Sequence, residues 1–67
     1  MSKYMVKVFE VEYVGGGTAK QVCLYRNNEQ IDGCTHDSRT FAVLWGSIFS
    51  MLLKRNGLKE NEVTVQL

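Results

Sequence analysis

The sequence predicts an α+β fold: a small, antiparallel-rich sheet of three to four strands with one helix packed across a face, in the order β-β-(β)-α-β. Three observations predict it. Two runs rich in β-branched and aromatic residues, "YMVKVFEVEYV" at 4–14 and "AKQVCLYR" at 19–26, flank a triple glycine at 15–17. The stretch "TFAVLWGSIFSMLL" at 40–53 runs for 14 positions without a charge and ends in a helix-stop pattern. Finally, "VTVQL" at 63–67 alternates apolar and polar residues, as a half-buried strand does.

The first run is a strand, and the triple glycine supplies the positive φ angles of a hairpin turn. A two-residue turn at Gly16 and Gly17 sets Phe9 opposite Leu24 and Val11 opposite Val22, so these four share one side of the sheet. Val6, Val8, Glu10, Glu12, Gln21, Cys23 and Tyr25 then share the other. Asn27 and Asn28 offer a second turn before the weaker third strand "EQIDGCT", in which Ile31 joins the side of Leu24. Asp37 or Ser38 can accept hydrogen bonds from the first free N–H groups of a helix, which therefore begins near Ser38. It stops near Asn56, because Lys54 and Arg55 suit the negative end of the helix dipole, Gly57 the left-handed position and Leu58 the apolar contact of a Schellman motif. After the polar turn "KENE", Val63, Val65 and Leu67 line one side of a closing strand that partners the first.

A chain of 67 residues makes a single domain, 1–67, with one small core. Its hydrophobic fraction of 45% and charged fraction of 22% are those of a folding protein. A net charge of +1 gives no overall footprint for nucleic acid, nor for an acidic DNA mimic. Two cysteines are too few for a disulfide framework, and the charges within residues 1–14 interrupt any signal-peptide apolar region, so the expected compartment is the cytoplasm. The uncharged run would rise about 21 Å as a helix, short of a bilayer core of about 30 Å, so no membrane span is expected.

The helix carries more apolar surface than one sheet needs. On a wheel at about 100° per residue its apolar side chains fill an arc of roughly 200°, whereas packing on one sheet takes a stripe of about 100° or a little more. Phe41, Leu44, Ile48 and Met51 form the half assigned to the sheet. Ala42, Trp45, Phe49, Leu52 and Leu53 form a half assigned to contact with a partner or a second copy. Ala42, Gly46 and Ser50, spaced by four, would let another helix approach closely, and an interior Gly46 costs about 1 kcal/mol relative to alanine.

Catalytic signals are weak. Cys34, His36 and Asp37, with Cys23 on the neighbouring strand, lack the paired spacing of a zinc site and the orienting group of a nucleophile–base pair. The cysteines read as packing residues and His36 as a surface loop residue. The triple glycine lacks the lysine and strand-to-helix setting of a phosphate cradle and reads as a turn. Lys54, Arg55 and Lys59 form a basic cluster that the helix dipole accounts for. No metal, cofactor or catalytic residue is expected, and the chain reads as a non-enzyme.

The run Phe41-Ala42-Val43-Leu44-Trp45-Gly46, together with the hairpin, helix, strand order, resembles the short uracil-DNA glycosylase inhibitors of Bacillus phages. In that family a Phe-x-Val-Leu-Tyr-Gly run occupies the same place. The resemblance covers six residues and the element order. It implies a homodimer, whose apolar pocket captures the apolar side chain that the glycosylase normally inserts into DNA, with Phe41 and Trp45 as pocket-lining aromatics; the excess apolar face of the helix is the expected place for the dimer contact. The chain departs from the family at Ala42, where the family is acidic, and in its near-neutral total charge. The expectation is thus a phage-type inhibitor of a host DNA-acting enzyme, with the candidate target uracil-DNA glycosylase. Its contact residues would be Phe41, Ala42, Trp45, Phe49, Leu52 and Leu53, joined by Glu10 and Glu12 facing basic groups that normally hold DNA phosphate. The alternatives are an inhibitor of another protein, of anti-CRISPR or antitoxin type, and a small nucleic-acid-binding dimer using Lys54, Arg55 and Lys59.

Overall fold

The computed structural model describes residues 3–66. Three nine-residue strands, β1 (Tyr4–Glu12), β2 (Thr18–Arg26) and β3 (Glu29–Asp37), precede the helix α1 (Ser38–Arg55). A turn of 3-10 helix at Glu60–Glu62 leads into the closing strand β4 (Val63–Gln66). The sheet order is β3-β2-β1-β4. β1 pairs antiparallel with β2, β2 antiparallel with β3, and β4 parallel with β1. A parallel return needs a crossover of a dozen residues or more, and α1 supplies it by crossing one face of the sheet. The fold is therefore α+β with a mixed sheet. Leu67, the last apolar residue of the closing run, lies outside the described residues.

The hairpin register differs from the one a two-residue turn imposes. Val6 pairs with Leu24 and Val8 with Val22, a shift of three positions. The Tyr13 N–H donates to the Gly17 carbonyl (3.0 Å) and the Gly16 N–H to the Tyr13 carbonyl (3.2 Å), so Val14, Gly15 and Gly16 form the loop. All three glycines have φ between 90° and 102°, so local geometry permits more than one turn. The core decides. An odd shift exchanges the faces of β1 relative to β2. Val6 and Val8, not Phe9 and Val11, join Val22 and Leu24 beneath the helix, and Phe9 is left 43% exposed on the open face. The parallel partner reinforces this choice, because Tyr4 pairs with Val63 and both pack against the same core.

β3 is longer than its composition suggests and takes in His36 and Asp37, because the full length of β2 offers it a ladder. A register shift between Leu24 and Tyr25 sets Leu24 opposite Asp32 and Tyr25 opposite Gln30. Ile31 is the unpaired bulge residue, 44% exposed rather than beside Leu24.

Val6, Val22, Leu24, Ile48 and Leu52 form the buried core. Leu24, Leu52, Val6 and Val22 are fully buried, each contributing about 1.5–3 kcal/mol relative to exposure. Both helix ends follow the sequence signals. Asp37 Oδ1 accepts from the Thr40 N–H (2.6 Å), and this bond holds the Asp37 carboxyl below its ordinary range. At the other end the Leu58 N–H donates to Leu53 O (2.9 Å) and the Gly57 N–H to Lys54 O (3.2 Å), with Gly57 at φ 66°. That is the Schellman pattern.

Candidate partner-binding surface

α1 rests mainly over β2 and β3, and its rotation about its own axis decides which apolar side chains are left for anything else. Ile48, Leu52 and Leu53 are buried, while Phe41, Trp45 and Phe49 pack half-buried against the core. The last three form a continuous aromatic row: ring centroids lie 5.0 Å apart for Phe41–Trp45 and 5.4 Å for Trp45–Phe49. Leu44 and Met51 are 46% and 45% exposed. The two helix halves assigned from the wheel are thus largely exchanged. Phe41 and Ile48 do face the sheet, but Trp45, Phe49 and Leu52 accompany them in place of Leu44 and Met51. Burying two large aromatics removes more apolar area from water than burying a leucine and a methionine.

This placement bears directly on the expected contact residues. Leu52, with no exposed surface, is used within the chain and is not available to a partner, and Leu53, 6% exposed, packs mainly within the chain and offers a partner only a small edge. Trp45 and Phe49 present only one edge. Ala42 is exposed, as are Glu10 and Glu12 on β1. Val43, 76% exposed, stands out with Leu44 and Met51 as apolar surface that the sequence did not single out. Leu44 departs from helical geometry (φ −112°, ψ 17°), which offsets the first turns of α1 from the rest. The Gly46-Ser47 pair that follows is the kind of weak point at which helices kink.

An open cleft of about 410 Å³ is lined by Gly46, Phe49, Ser50, Leu53 and Leu58, together with the charged Lys54 and Glu60. A Cβ at Gly46 would meet nothing within 4 Å, so its smallness is not explained by packing inside the chain. The cleft brings together Gly46 and Ser50 of the small-residue row and Phe49 of the aromatic row.

The basic cluster at the end of α1 is partly occupied. Arg55 makes a bidentate pair with Asp32, Nε to Oδ2 at 2.8 Å and Nη2 to Oδ1 at 2.7 Å. The Asn56 amide donates to Oδ2 (2.8 Å) and the Gly33 N–H to Oδ1 (2.8 Å). The hydrogen bonds from Arg55 and then Asn56 hold the Asp32 carboxyl at about 2 against an ordinary 3.8. This group fastens the helix end to the β3 bulge.

The cysteine–histidine group is dispersed. Cys23 is buried, whereas Cys34 packs half-buried against the helix side of the core, where burial pushes its thiol pKa up. His36 is not a loop residue: it sits half-buried in β3 opposite Lys20, and its Nε2 is enclosed without a hydrogen-bond partner. Among the described residues no cluster of three or more His, Cys, Asp or Glu side chains is placed to hold a metal ion. No described helix is long and apolar enough to cross a membrane.

The structure thus defines a two-layer α+β domain with an open cleft of mixed polar and apolar lining beside its helix. Compared with known proteins, the chain matches no family model, no curated protein and no solved structure.

Proposed function

We propose that the protein is a non-enzymatic, cytoplasmic inhibitor of phage type that blocks a host DNA-acting enzyme, with uracil-DNA glycosylase as the candidate target. The observation that carries the proposal is the open cleft at Gly46, Phe49, Ser50, Leu53 and Leu58, whose apolar wall is accessible to side chains of a partner. The resemblance of residues 41–46 to the short glycosylase inhibitors assigns such a side chain to the target enzyme. Here the aromatics serve differently from the family pattern: Phe41 and Trp45 back the cleft through the ring row, and Phe49 walls it. Affinity comes from the few anchors buried there, and the exposed ridge of Val43, Leu44 and Met51 adds apolar surface for a second copy of the chain in the proposed homodimer.

The nucleic-acid reading is less favoured, since Arg55 is already engaged by Asp32. The test is uracil excision by a bacterial glycosylase with this protein in stoichiometric excess. Inhibition that is relieved by Phe49→Ala in a folded variant supports the proposal. Undiminished excision rules out the glycosylase as target.

A further inference from the structure

The sheet has an open edge in an unusual place. β4 pairs with β1 only over Tyr4–Lys7, and among the described residues no strand lies beside Phe9–Glu12 on that side. Hydrogen-bond alternation fixes which backbone groups are left there. The Tyr13 N–H bonds to Gly17 O and the Asn27 N–H to Lys3 O, so the odd-numbered residues of β1 exchange bonds with β2. The even-numbered residues turn theirs the other way. Glu10 and Glu12 therefore aim their N–H and carbonyl groups outward into solvent, next to the end of β4.

The side chains along this edge alternate in chemistry. Phe9, 43% exposed, and half-buried Val11 lie on the open face of the sheet. Glu10 and Glu12 lie on the other face, both exposed. Lys20 reaches Glu10 only at 3.7 Å across an exposed gap, and Glu12 has no ion-pair partner among the described residues. The opposite edge of the sheet is different. The bulge at Ile31 breaks β3, a common means of blunting an edge against further pairing. The β1 stretch carries no such interruption.

We infer that the edge Phe9–Glu12 is a docking strand for an extended segment of a partner protein that alternates basic and apolar side chains. Backbone pairing continues the sheet, the basic side chains meet Glu10 and Glu12, and the apolar ones cover Phe9 and Val11. Charge selects the occupant. Two copies of this edge paired about a two-fold axis would set glutamate against glutamate or against Val8, so self-pairing is disfavoured. The surface lies apart from the helix cleft, and its test does not depend on which enzyme that cleft recognises.

The probe is a short synthetic peptide alternating valine and lysine, added to the full chain labelled for amide NMR. Three controls accompany it: the same peptide N-methylated on alternate residues, a valine–glutamate peptide, and the Glu12→Pro variant. Proline removes the outward N–H of residue 12 but leaves the β2 ladder intact, because that ladder uses Val11 and Tyr13. The expected result is a shift and slowed exchange of the Glu10 and Glu12 amides. Binding should fall at least about fivefold with N-methylation or Glu12→Pro, and should weaken as salt rises. The Glu12→Gln variant retains the N–H and should lose only the salt-dependent part. Three results overturn the inference: no change at these amides with the lysine peptide, equal binding of the N-methylated or glutamate peptide, or protection of both amides in the free protein. Concentration-dependent shifts at Glu10 and Glu12 without peptide would assign the edge to a second copy instead, and would overturn it equally.

Discussion

Replacing Gly46 with alanine separates two reasons for keeping a glycine inside a helix. Its φ is not positive, and a Cβ there meets no atom within 4 Å, so neither backbone strain nor a clash opposes the change. Alanine in a helix interior is favoured over glycine by about 0.5–1 kcal/mol, mostly through reduced freedom of the unfolded chain. For a domain of this size each kcal/mol moves the thermal midpoint by about 4–8 °C, so Gly46→Ala should raise it by about 2–8 °C. Urea unfolding followed by circular dichroism should show a higher midpoint and an unchanged slope. The same methyl group would stand in the lining of the cleft. The variant should therefore bind or inhibit its target less well while being more stable. A lower midpoint at all protein concentrations would refute the reasoning, because Gly46 would then be small for a reason inside the fold. A lower midpoint only at high concentration would place a second copy over the cleft.

The remaining predictions concern the core and its fastening. Leu52→Ala should cost about 2–5 kcal/mol, a large part of the stability expected of a chain this size, whereas Leu44→Ala, measured at a concentration low enough to keep the chain monomeric, should stay within about 0.5 kcal/mol; comparable losses in urea unfolding under those conditions would contradict the observed helix rotation. The Asp32 carboxyl is held below its unfolded value, so its stabilising effect is fully present above about pH 4 and is lost as pH falls toward 2. Asp32→Asn should accordingly be less stable than the parent at neutral pH, and their urea midpoints should converge as pH approaches 2; a constant gap would show that Arg55 and Asn56 do not depend on the charge.

Local signals were legible in the sequence and rotational ones were not. The helix ends are written in single residues: Asp37 caps the first turn, and Gly57 with Leu58 closes the last. The hairpin register is not, because three adjacent glycines accept several turns and only the distant partners Ile48, Leu52 and Val63 discriminate between the resulting faces. The same holds for the helix. An apolar arc of roughly 200° tells that some face is in excess, not which one, and the irregularity at Leu44 displaces the simple wheel. The small-residue row is visible in the sequence and lines the cleft through Gly46 and Ser50, but the same wheel places Leu52 on the partner side, where the core in fact takes it whole. β3 was underestimated because "EQIDGCTHD" has little intrinsic strand preference and takes its conformation from β2.

The short parallel strand has a kinetic consequence. β1, β2 and β3 form a meander whose contacts are close in sequence, and α1 follows directly, whereas Tyr4 and Val63 meet only after the whole intervening chain has been closed. The entropy of so large a loop is offset by only four paired positions. β4 is thus the element with most to lose from a destabilised collapse and least to hold it, and should dock after the meander and helix have assembled. Until it does, the entire β1 edge stands open, which makes the arrival of four residues the step that sets how long the nascent protein stays vulnerable to mispairing.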